Sequence, residues 1–139
     1  MSARPLTPPP KRIKAKSAYS REWLEERYIA CTGVQRRPTV VQIEHMDQML
    51  RLFARRAARE GDQQHWTWPQ LARALGYPCE GLTGRKIKDR FERSLQRTVR
   101  YLIAAEQLAG WAPIKRGNES VGILITLRPG VAQRDRVGA

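Results

Sequence analysis

The period of the apolar residues changes once along this chain, near Gly110, and that change restricts the fold more than any other feature. Before it, Ile87, Phe91, Leu95, Val99 and Leu102, with Thr98 among them, return every three or four positions, the repeat of one buried helix face. After it, Val121, Ile123, Ile125 and Leu127 alternate with Gly122, Leu124 and Thr126, the repeat of a strand. Between Trp111–Ile114 and this run stands Gly117-Asn118, a pair suited to a tight reversal. The spacing therefore predicts a long helix over 85–109, stopped by Gly110, followed by a β-hairpin that ends at Pro129 and Gly130.

Three further helices are expected upstream. Ser20 can cap a short one over 20–30, with Glu22, Glu25 and Glu26 near its start. Gly33 and Pro38 then interrupt the chain, with Arg36 and Arg37 between them. Thr39 and Gln42 have capping-box spacing ahead of Ile43, Met46, Leu50, Phe53 and Ala57, which share one helix face; Gly61 and Asp62 end that helix. On its opposite side Arg51, Arg55 and Arg59 read as a wet face. Thr67 and Gln70 repeat the capping pattern, with Pro69 allowed in the first turn. Leu71, Ala72 and Leu75 face inward, Gly76 stops the helix, and Trp66 or Trp68 should plug the core beside it. A turn-rich stretch, 77–84, leads to the long helix. The expected fold class is mainly α with a C-terminal β-hairpin. Its parts are a disordered basic arm (1–18), an extra helix and linker (19–37), the main domain (38–130) and a flexible tail (131–139).

Charge narrows the function classes. The 139 residues carry 26 lysines and arginines against 13 acids, a net charge of +13. A polyanion is the natural partner for such a balance, nucleic acid first and an acidic membrane surface second. Arginines outnumber lysines, 20 to 6; they suit phosphate and guanine, although a GC-rich genome would produce the same ratio. The chain is too short for a doubly wound dehydrogenase or a TIM barrel. Its longest apolar run, Val121 to Leu127, is too short to span a bilayer. The N-terminus lacks the hydrophobic segment of a secretory signal. A cytoplasmic, nucleoid-associated protein is expected.

Chemistry-bearing constellations are sparse. Cys31, Cys79, His45 and His65 lie singly, without the close pairs of a structural zinc site, so no metal is expected. Gly81 and Gly84 before Arg85 and Lys86 do not match a P-loop. No serine or cysteine has an evident histidine partner. Neither an enzyme nor a cofactor is expected.

The long helix is the informative element. Lys86, Arg90, Arg93, Arg97 and Arg100 follow at steps of 4, 3, 4 and 3 residues. At about 100° per residue they fall within a sector of about 80°, opposite the apolar face. Asp89 and Glu92 lie off that line. Like charges in a row repel one another, and a polyanion would offset that cost.

Helix, short helix ending in Leu-Gly, turn, long basic helix and hairpin follow in order. The residues LARALGY (71–77), the helix from Arg85 and IKRGNESVGILITL (114–127) together resemble a winged helix-turn-helix domain over about two-thirds of the chain. The turn over 77–84 is longer than in a tight helix-turn-helix. The resemblance implies sequence-specific binding of double-stranded DNA, by a transcriptional regulator or by a plasmid or phage replication or maintenance factor. It implies that Arg85, Lys86, Arg90, Arg93 and Arg97 meet the major groove and that Lys115, Arg116 and Asn118 at the hairpin tip meet the backbone. Lys11, Arg12, Lys14 and Lys16 of the arm either lie along phosphates or form a solvated tail. A homodimer on a palindromic site would use the 20–30 helix. The rival reading is a winged-helix module that docks on a polymerase or another nucleic-acid-processing complex, with Trp23, Tyr28 and any exposed one of Trp66, Trp68 and Trp111 as anchors. RNA is the third partner that a basic stripe admits.

Overall fold

The computed structural model describes residues 20–131. The arm residues Lys11, Arg12, Lys14 and Lys16 lie outside them. The element order is α1 (Arg21–Thr32), α2 (Val40–Glu60), β1 (Gln63–Thr67), α3 (Trp68–Ala74), α4 (Gly84–Ala104), β2 (Leu108–Arg116) and β3 (Glu119–Leu127). The strands form one antiparallel sheet in the order β1-β3-β2. The architecture is therefore mainly helical with a small three-stranded sheet.

Side-chain caps set the helix starts. Ser20, Thr39, Thr67 and Thr83 each accept a hydrogen bond from the backbone N–H three residues on. The reciprocal capping box closes at Thr67, where Gln70 returns a bond to the Thr67 N–H, 2.9 Å. At Thr39 the cap's own side chain makes the bond, 3.1 Å. Gly33 and Gly76 close α1 and α3 in the left-handed conformation.

Two expectations change. First, β1 is a strand that the pattern did not announce. It buries Gln64 and Trp66 and exposes Gln63, His65 and Thr67, so its alternation is masked by a glutamine at a core position. That glutamine is satisfied there: its amide donates to the carbonyls of Phe53 (2.7 Å) and Gly61 (3.1 Å) and accepts from Trp66 Nε1 (3.0 Å). Second, α4 ends at Ala104, not at 109. Glu106 takes a left-handed φ of 62°, and the Gln107 N–H reaches back to the Leu102 carbonyl, 2.9 Å. Leu108 and Gly110 are thereby released to pair with Leu127 and Thr126 in the sheet. Glutamate is a costly residue for this conformation. Its side chain lies 3.5 Å from Arg27 of α1, a contact that a glycine could not make.

The 19–37 segment is also more than an appendage. Trp23, Leu24 and Tyr28 of α1 are buried in the common core. Tyr28 lies 4.6 Å from Tyr101 of α4, centroid to centroid, and Tyr101 donates to the Arg36 carbonyl, 3.2 Å. At the other end, Val131 is buried, so the packed part runs one residue past the expected boundary at 130. Both Trp66 and Trp68 plug the core, beside Phe53, Leu71, Leu95 and Ile123.

The sheet is closest at Gly122, which pairs with Thr67 of β1 on one side and Ile114 of β2 on the other. A Cβ there would stand 2.4 Å from the Trp66 carbonyl oxygen. The obstacle is backbone, so the strands would have to part. Gly122→Ala should therefore lower stability by about 1–3 kcal/mol or more. Gly110→Ala, with nothing within 4 Å of the new methyl, should leave the urea midpoint nearly unchanged. Equal midpoints for the two variants would contradict the close approach.

Candidate nucleic-acid interface

The apolar side of α4 fixes where its basic side points. Ile87, Leu95, Thr98, Val99 and Leu102 are buried, as their spacing requires. Phe91 is half-buried, edge-on to Tyr77 at 4.9 Å. Opposite them, Arg85, Lys86, Arg90 and Arg93 are exposed. Among the described residues none of these four has a carboxylate within salt-bridge distance. The far end of the stripe differs. Arg97 is half-buried, and the Arg100 guanidinium sits 5.8 Å from the Trp111 ring centroid. The stripe is thus fully open over its N-terminal half, whereas Arg97 is half-buried and Arg100, though exposed, has the Trp111 ring beside it.

The loop before α4 is longer than a tight turn and is pinned from both sides. The Tyr77 hydroxyl lies 3.1 Å from His45 Nδ1 of α2 and 3.3 Å from Ser94 Oγ of α4. Burial lowers the His45 pKa from its ordinary value, partly opposed by the Glu44 charge, which favours the neutral ring at this contact. Thr83 then caps the helix, and its first residues enter solvent with a defined direction.

The β2–β3 hairpin closes through Gly117 at φ 64°, a conformation suited to glycine at the first central position of a two-residue loop. Lys115, Arg116 and Asn118 are all exposed at its tip. Two contacts hold this hairpin against the helices, and a third holds it against β1. Lys88 of α4 donates to Glu119 Oε1 at 3.0 Å across 31 residues of sequence. Trp68 Nε1 of α3 donates to Ser120 Oγ at 3.1 Å. Gly122 lies against the backbone of β1.

Neither Lys88 nor Glu119 was marked by the sequence, because Lys88 lies off the stripe and the partners are distant in the chain. Their contact nevertheless assembles the site. The Glu119 carboxyl is held below its ordinary pKa first by the Lys88 hydrogen bond and charge, and further by Arg85 and Arg116. Arg85 belongs to α4 and Arg116 to the hairpin. The contact shown between the two elements is the Lys88–Glu119 pair itself.

One more acid stands on this face. Asp89 is exposed on the second turn of α4, four residues after Arg85 and four before Arg93. It makes no ion pair with a described residue. Among the described residues no group of three or more His, Cys, Asp or Glu could hold a metal ion, and no helix is long and apolar enough to cross a membrane. No protein-family model, curated protein or solved structure matches the chain.

The Lys88–Glu119 tie should depend on pH with a definite sign. A lowered carboxyl pKa means the contribution is complete above the ordinary value of about 4.5 and is lost as pH falls through the lower, folded value. The Glu119 carboxyl resonance should accordingly titrate below 4.5, and Lys88→Met should move its midpoint up toward that value. A midpoint indifferent to Lys88→Met would mean that the contact does not form in solution.

Proposed function

We propose that this chain is a winged-helix protein that binds double-stranded DNA sequence-specifically, with α4 as its recognition helix and the β2–β3 hairpin as its wing. The observation that carries this reading is the 3.0 Å Lys88–Glu119 contact, which ties the N-terminal half of α4, where the open end of the basic stripe lies, to the base of the hairpin tip. The order of elements and the sheet order β1-β3-β2 support the same layout. A major groove admits an α-helix, and arginines near its N-terminus can reach base edges. Lys86, Arg90 and Arg93 have that position. Arg97, further along, is assigned a phosphate contact, as are Lys115, Arg116 and Asn118. The biological role in this reading is regulation of transcription or replication and maintenance of a plasmid or phage.

The protein-docking rival loses its anchors, since Trp23, Tyr28, Trp66 and Trp68 are buried and Trp111 is half-buried. The large apolar side chains exposed among the described residues are Ile29, Val34, Val40 and Val41, all around the α1–α2 connection. They favour a second, smaller reading: two copies meet there and present paired recognition helices to a palindromic site.

Alanine at Arg90 or Arg93 should cost about 1–3 kcal/mol on a specific duplex and blur its sequence preference. Alanine at Lys115 should weaken all duplexes alike and reduce the salt slope by about one. Leu95→Ala serves as the packing control and should destabilise the fold by about 2–5 kcal/mol. Wild-type DNA binding by both arginine variants would remove α4 as the reading surface.

Deletion of residues 1–16 tests the arm separately. With five basic residues, Arg4, Lys11, Arg12, Lys14 and Lys16, among prolines and no pattern suited to base edges, its loss should lower affinity for every duplex by a similar factor. A changed preferred sequence after deletion would show instead that the arm reads a groove.

A further inference from the structure

A surface that meets phosphates is weakened by every carboxylate it carries, because each repels the backbone at short range. The face proposed above carries two, and they differ. Glu119 has a structural partner in Lys88, 3.0 Å away. Asp89 has none among the described residues, although Arg85 and Arg93 stand one turn to either side. Helix formation does not require it. Aspartate is a poor helix former in the interior, and Asp89 is the sixth residue of α4, past the first turn where the helix dipole favours an acid. It is exposed, so packing does not require it either.

Resting on the DNA-binding reading, we propose that Asp89 is a specificity-determining residue whose carboxylate accepts a hydrogen bond from the N4 amino group of a cytosine in the major groove. An ionised carboxylate only accepts. Cytosine presents an amino donor at its major-groove edge with no acceptor of its own beside it. Adenine places the N7 acceptor next to its N6 amine, and guanine and thymine present acceptors. A carboxylate therefore meets the least repulsion at cytosine. Its position on the second turn of α4, amid Lys86, Arg90 and Arg93, is where a recognition helix reaches bases. The repulsion Asp89 imposes on every other duplex then becomes part of the discrimination.

The test is selection from a random duplex library with wild type, Asp89→Ala and Asp89→Asn. All three should stay folded, given the exposure of this residue, with the urea midpoint of Asp89→Ala equal to or slightly above wild type because alanine is the better helix former. Wild type should enrich a motif with one position held as cytosine. Asp89→Ala should lose about tenfold preference at that position, the scale of one base-edge contact, keep the others, and bind arbitrary duplexes at least as tightly. Asp89→Asn should move the preference to adenine, whose donor–acceptor pair an amide matches. An unchanged motif in Asp89→Ala would overturn the inference while leaving the DNA-binding reading in place, as would a uniform loss of affinity with the motif intact. A wild-type protein that retains no duplex, or enriches no motif, would overturn the reading itself and the inference with it.

Discussion

Packing onto one side of α4 organises the rest of the chain. α1, α2, α3 and β2 all touch this helix, and its buried residues Ile87, Leu95, Val99 and Leu102 sit in the middle of the common core. A helix surrounded on one side has no choice about the other. Because burying an unpaired arginine is prohibitive, the sequence that places leucine and valine inward also turns Lys86, Arg90 and Arg93 outward in register. The same packing event thus makes the core and the exposed basic stripe. The hairpin adds what the helix lacks, a second basic segment from elsewhere in the chain, and its place is held by the pairing with β1, the Trp68–Ser120 bond and the Lys88–Glu119 contact.

Much of this was legible because it depends on local physics. The caps at Ser20, Thr39 and Thr67, the faces of α2 and α4, and the Gly117-Asn118 reversal are each written within a few residues. What was not legible depends on distant partners. Gln64 looks like a surface residue until the Phe53 and Gly61 carbonyls and the Trp66 indole are brought around it; without them β1 has no strand signal. Spacing alone puts the end of α4 at 109, because Glu106 is a good helix former and Gly110 a plausible stop. The helix stops earlier because Leu108 pairs with Leu127 and Arg27 of α1 lies beside Glu106. The stripe could be read from spacing alone, whereas Lys88 and Glu119, 31 residues apart, could not.

α1 shows how tertiary packing changes the meaning of a segment. Read in isolation, 19–37 is a short helix with aromatic residues free to meet a partner. In the fold those aromatics are spent internally: Tyr28 against Tyr101, Trp23 under the Arg27 guanidinium at 5.0 Å. Arg21 donates to the Pro38 carbonyl, 2.8 Å, which ties the start of α1 to the start of α2. The apolar surface left over is Ile29 near the end of α1, Val34 in the connection and Val40 and Val41 at the start of α2, and it is made of aliphatic side chains rather than the Trp and Tyr that dominate binding hot spots.

The arginines divide by the company they keep, and the division explains how a chain with twice as many bases as acids folds without self-repulsion defeating it. Arg37 takes Glu22 and Glu25; Arg27 takes Glu106; Arg56 takes Glu60 at 3.8 Å, covers the Trp66 ring at 3.4 Å and donates to the His65 carbonyl. Lys88 takes Glu119. These cations hold elements together and use up carboxylates in doing so. Arg85, Lys86, Arg90, Arg93, Lys115 and Arg116 have no such pair among the described residues, and they lie on α4 and the hairpin that Lys88 joins. Acids pair with bases that build the fold, and the bases left without an ion pair among the described residues include those of α4 and the hairpin tip, where a polyanion would relieve the repulsion that folding leaves behind.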